Sequence, residues 1–105
     1  MKIGTEFGQG RLVIKIHGEL DHHAARGLIE NICNNIDKYL PKICILDMKD
    51  IGFMDSSGIA VILKTHKRMR ELGGEVKVLN LSKQSKRVLD MSGLEKIISM
   101  EEIGA

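Results

Sequence analysis

A chain of 105 residues, 43% of them apolar, can bury one core, so a single domain spanning 1–105 is expected. Its net charge of +2 comes from interspersed positive and negative side chains, and 3% of its residues are aromatic, with no Trp. It therefore lacks both the field and the stacking platforms that nucleic-acid binding uses. No apolar run approaches the roughly 20 residues of a membrane span, and the start MKIGTEFGQG has no apolar signal region, so a cytoplasmic protein without membrane attachment is expected.

Residues 2–7 and 11–17 carry alternating apolar positions, Ile3 and Phe7 in one run, Leu12, Ile14 and Ile16 in the other. They flank Gly8-Gln9-Gly10, which predicts a β-hairpin. From Asp21 to Leu40 the spacing of Ala25, Leu28, Ile29, Ile32, Cys33, Ile36 and Leu40 changes to three and four, an amphipathic helix with Asp21 as cap and Pro41 as stop. Ile43-Cys44-Ile45-Leu46 is continuously apolar, as a central strand covered by helices would be. Cys33 and Cys44 lie within apolar stretches and lack the C-x-x-C spacing, which reads as reduced core thiols.

A loop is expected over 49–55, then a second helix from Ser57 to about Leu72 that ends at Gly73-Gly74. Glu75 to Asn80 reads as a strand, and Ser82 caps a short helix through Val88, Leu89 and Met91, closed by Gly93. Ile97, Ile98 and Met100 suggest a last short extended segment. This order predicts an α/β domain, a mixed β-sheet with an N-terminal hairpin and helices packed against it. Its helical crossovers should be right-handed and its functional loops should lie at the carboxyl ends of the parallel strands. Ser56 lies just beyond such an end.

The segment FMDSSGIA puts an acid, two hydroxyls and a Gly immediately before an apolar helix. A helix start has unpaired N–H groups and a positive dipole end, so a hydroxyl there can cap and an added phosphoryl group would find donors. Gly58 removes a Cβ that would crowd an approaching partner. Simple capping by Asp55, Ser56 or Ser57 is the plain alternative, although capping needs one such residue. Ser56 or Ser57 with His22 and Asp55 also suggests a nucleophile, base and acid, but the G-x-S-x-G elbow is not met. GIAVILKT has Leu63 where a phosphate loop needs its second Gly, and His22-His23 lack a third ligand at metal spacing. No metal or other cofactor is implied. Lys64, His66, Lys67, Arg68 and Arg70 form a basic stretch that serves either as a solvated helix face or as a partner contact.

GELDHHAA at 18–25, FMDSSGIAVIL at 53–63, GGEVKVLN at 73–80 and RVLDMSGLEKII at 87–98 together resemble the STAS family of anti-sigma factor antagonists, and among them those of sporulation. The resemblance implies a STAS fold over the whole chain and a partner switch in place of enzymatic chemistry. The unmodified protein would bind an anti-sigma factor that is also a serine kinase, with ADP or ATP bound to the kinase, and so release a sigma factor. Phosphorylation would map to Ser56 and inactivate the protein, and a serine phosphatase would restore it. Asp21, His22, His23, Asp55, Ser57, Gly58 and Lys64 are the expected partner contacts, and the free protein is expected to be a monomer. Ala60 and Lys64 to His66 depart from the family pattern, and the family's final helix would be short or missing here. A STAS module of another switch or of a transporter, and a Ser-dependent or nucleotide-using enzyme, are the alternatives.

Overall fold

The hairpin consists of β1 (Lys2–Gly8) and β2 (Arg11–Leu20), joined by a two-residue turn. Gln9 and Gly10 have φ of 53° and 76°, the doubly left-handed turn whose twist matches that of its flanking strands. The structure, a computed structural model, describes residues 1–101. The expectation of a short or missing final helix lies outside those residues.

Asp21 begins α1 (His22–Tyr39), whose buried stripe is Ala25, Leu28, Ile32 and Ile36. Leu40 takes a left-handed conformation and donates its N–H to Ile36 O, which ends the helix before Pro41. The chain then forms β3 (Ile43–Met54), α2 (Ser57–Glu71), β4 (Glu75–Leu79) and α3 (Lys83–Asp90). One turn of 3₁₀ helix at Leu94–Lys96 leads into β5 (Ser99–Glu101). The five strands lie in the order β1-β2-β3-β4-β5; β1 is antiparallel to β2 and every other pairing is parallel.

The loop expected over 49–55 is instead, as far as Met54, the second half of β3. Lys49-Asp50 and Gly52 interrupt the apolar pattern, and two register shifts against β2 break the alternation, so burial falls on Met48, Ile51 and Met54 and not on every second residue. Over this stretch β3 pairs with β2 on one side only, since its ladder to β4 covers Ile43 to Asp47. The last strand starts at Ser99, two residues later than Ile97 suggested.

Leu12, Ile14 and Ile16 join Cys44, Leu46, Val76 and Val78 on one face of the sheet, in one cluster with buried apolar residues of all three helices. Ile3 and Phe7, opposite Ile16 and Leu12, share that face. Phe7 stacks on Tyr39 of α1 at 4.8 Å between ring centroids. Both cysteines are free thiols; burial pushes the pKa of Cys44 up to about 12 and raises that of the half-buried Cys33, with Asp37 as the second cause. Arg68 belongs to the basic stretch of α2 but is not simply solvated, because its Nε donates to Asp37 Oδ1 of α1 at 2.7 Å.

Candidate functional site

β2 and β3 run in parallel to neighbouring ends, with Leu20 opposite Met54, so their two strand-to-helix corners are adjacent. The N–H of Asp55 donates to Leu20 O at 3.1 Å and joins them. Asp21 caps α1 by accepting from the N–H of Ala24 at 3.0 Å. The carboxylate of Asp55 spans both corners: Oδ1 accepts from the N–H of Ser57 at 2.8 Å and Oδ2 from the N–H of His22 at 3.0 Å. One acid thus caps α2 and ties it to the start of α1, a role for which the sequence offers three candidates and no means of choosing.

The bond from the Ser57 N–H, chiefly, holds the Asp55 carboxyl below its ordinary pKa; the Ser57 hydroxyl and the His22 N–H act in the same direction. A carboxyl whose folded pKa lies below its unfolded value stabilises the fold above the unfolded pKa, and that contribution is lost as pH falls through the folded pKa. Asp55→Asn keeps one acceptor of two and should cost roughly 1 kcal/mol at neutral pH, as loss of a cap does. Thermal unfolding at neutral and acidic pH checks this, and the variant should show a smaller drop between the two than the wild type.

Because Asp55 takes the capping role, Ser56 is left out of it. Ser56 adopts helical dihedrals, its side chain makes no capping hydrogen bond, and it is exposed. Ser57 is half-buried, and its N–H is held by Asp55 Oδ1. The donors expected to await a phosphoryl group are largely in use: Ser57 N–H goes to Asp55 Oδ1, Gly58 N–H to Asp55 O and Ile59 N–H to Ser56 O. Gly58 is buried, and its missing Cβ is required from within, since a Cβ there would lie 2.5 Å from Met54 Cγ and Sδ.

Sequence reading missed Gln84 of α3. Its Oε1 accepts from the N–H of Met54 at 2.9 Å and its Nε2 donates to Met54 O at 2.7 Å, so one amide side chain stands where a neighbouring strand would pair. The partners are 30 residues apart, and no local pattern marks the contact.

His22, Ser57 and Lys64 line a groove of about 350 Å³ between α1 and α2, floored by Ala25, Ile29 and Ala60 and flanked by Arg26 and Glu30. His23 lines a separate groove with Met1 and Ile3, although the two imidazoles meet edge to face at 5.7 Å. The structure therefore gathers Asp21, His22, Asp55, Ser56, Ser57 and Gly58 at one corner and Lys64 along its groove, and directs His23 to a different one. The nucleophile, base and acid arrangement does not form, because His22 meets Asp55 through its backbone N–H.

Residues 2–103 match the STAS domain. The chain belongs to the STAS family. It is 37% identical over 98 residues to the anti-sigma F factor antagonist of Paenibacillus polymyxa, covering 93% of this chain and 84% of that one. With the anti-sigma-B factor antagonist of Bacillus subtilis (strain 168) it shares 30% identity over 101 residues, 95% of this chain and 90% of the other. Among solved structures it is similar to the anti-sigma factor antagonist SpoIIAA in its unphosphorylated form, with a TM-score of 0.81, 28% identity and coverage of 94% and 87%. SpoIIAA of Bacillus in the phosphorylated form gives 0.72, also at 28% identity, with coverage of 94% and 90%. This STAS domain is α/β, with the mixed sheet, N-terminal hairpin and packed helices expected of it. Among the described residues no helix is long and apolar enough to cross a membrane.

Proposed function

We propose that this STAS domain is an anti-sigma factor antagonist working in the cytoplasm as one member of a partner switch. Unphosphorylated, it binds an anti-sigma factor that is also a serine kinase carrying ADP or ATP, and the sigma factor is released. The kinase phosphorylates Ser56 and ends the complex, and a serine phosphatase regenerates the active form. The protein acts by binding and performs no chemistry of its own.

One observation carries this reading: Ser56 is the exposed hydroxyl at the corner and makes no capping bond, whereas Ser57 is half-buried and its N–H is held by Asp55. A kinase can take the first without breaking the join between the two helices. The corner with Asp21, His22, Asp55, Ser57 and Gly58, continued by the groove and Lys64, forms the partner face, and His23 lies at its margin. The higher identity to the anti-sigma F factor antagonist than to the anti-sigma-B one favours a sporulation sigma factor.

The test is incubation with the cognate anti-sigma factor and ATP, followed by intact and fragment mass spectrometry. One phosphoryl group per chain on Ser56 is expected. Phosphate on Ser57 or Ser82, or no phosphate in a mixture that forms the complex, would overturn the assignment.

A further inference from the structure

β1 is one margin of the sheet, so among the described residues one side of its backbone has no strand beside it. The two-residue turn makes Gly8 and Arg11 a hydrogen-bonded pair, and in an antiparallel ladder such pairs recur at every second residue. Lys2, Gly4 and Glu6 therefore bond to β2, and the N–H and C=O groups of Ile3, Thr5 and Phe7 point outward. Natural edges are guarded by shortness, Pro, bulges or charge. β1 is seven residues long, has no Pro, and carries one cation and one anion four positions apart. Those charges oppose most incoming strands and suit one in particular.

We propose that the free edge of β1 binds a second copy of this chain, antiparallel and centred on Gly4, so that Lys2 of each copy faces Glu6 of the other. Backbone bonds form only in registers that set outward-facing residues opposite one another, and of these the one centred on Gly4 matches both charges. Lys2 and Glu6 then fall in non-hydrogen-bonded pairs, the closer type, with Cα atoms about 4.5 Å apart. On the helix-covered face the same register sets Met1 opposite Phe7 of the second copy, and these two residues are 47% and 43% exposed in the single chain. Beside Met1 and Ile3 runs the groove of about 300 Å³ walled by Ala24, Gly27 and Asn31 of α1, and a Cβ on Gly27 would meet no atom within 4 Å. The incoming Phe7, its ring stacked on Tyr39 of its own chain, borders that space. Glu6 already bonds Lys15 at 3.3 Å, but both side chains are largely exposed and free to share.

A seven-residue strand covers much less than the roughly 1,200–2,000 Å² of a stable interface, so the pair is weak and the expected monomer prevails in dilute solution. Sedimentation velocity from micromolar to millimolar concentration tests this, and the wild-type mean mass should climb toward twice the monomer. Lys2→Glu and Glu6→Lys should each weaken the pair at least tenfold by placing like charges opposite one another. An equimolar mixture of the two variants should associate again, because every facing pair is then of opposite sign. Melting curves matching the wild type would separate these effects from loss of fold. A wild type that stays monomeric at millimolar concentration, or a dimer indifferent to both substitutions and to their mixing, would overturn the proposal.

Discussion

Ser56→Ala is expected to fold normally, to accept no phosphate, and to bind the anti-sigma factor with the same affinity whether or not ATP has been supplied. The hydroxyl makes no capping bond, so its removal should cost no more than the few tenths of a kcal/mol usual for an exposed substitution, less than an ordinary cap. The phosphorylated wild type should bind at least tenfold more weakly, about 1.4 kcal/mol. A phosphoserine brings a charge of about −1.5 to −2 to a corner that already holds the acidic side chains of Asp55 and Asp21. The first N–H groups of α2 are bonded to Asp55 and Ser56, so the new group faces outward into the partner's footprint and is not folded back onto the helix. Titration calorimetry of the two forms measures the difference. Backbone amide shifts should change only around Asp21 and residues 55–58, and equal affinities or a rearranged sheet would end this account.

Gly58→Ala should destabilise the domain although Ala favours a helix over Gly by about 1 kcal/mol. The added Cβ would meet Met54 Cγ and Sδ at 2.5 Å, and Met54 is 0% exposed with its N–H and C=O both held by Gln84. Overpacking of this kind typically costs about 1–3 kcal/mol. Met54→Ala alone leaves a void and should cost about 2–5 kcal/mol. Together the two changes should cost less than their sum by about 0.5–3 kcal/mol, because the new methyl occupies space that Met54 vacates. Urea unfolding of the four proteins gives the coupling, and strict additivity would show that Gly58 is required for some other reason.

Periodicity alone revealed the hairpin, α1, α2 and β4, because each buries one stripe or one alternating row and ends at a recognisable cap or glycine. It did not show how far β3 runs. Beyond Met48 that strand gains its burial from a bulged ladder with β2, and Lys49-Asp50 and Gly52 imitate a loop. The site was legible as a cluster of capping residues at 55–58, but not which of them caps. That choice depends on His22 approaching from 33 residues away, and Gln84 was invisible for the same reason.

Among the described residues no strand pairs with the far half of β3 on its β4 side, where backbone protons would ordinarily exchange quickly with solvent. The Met54 N–H differs, because its acceptor is a side-chain amide of α3 and not another strand. Its deuterium exchange therefore measures whether Gln84 is in position, independently of the rest of the ladder. This single proton, two residues before Ser56, acts as a built-in gauge of the third helix's seating and can be followed as the phosphate goes on and comes off.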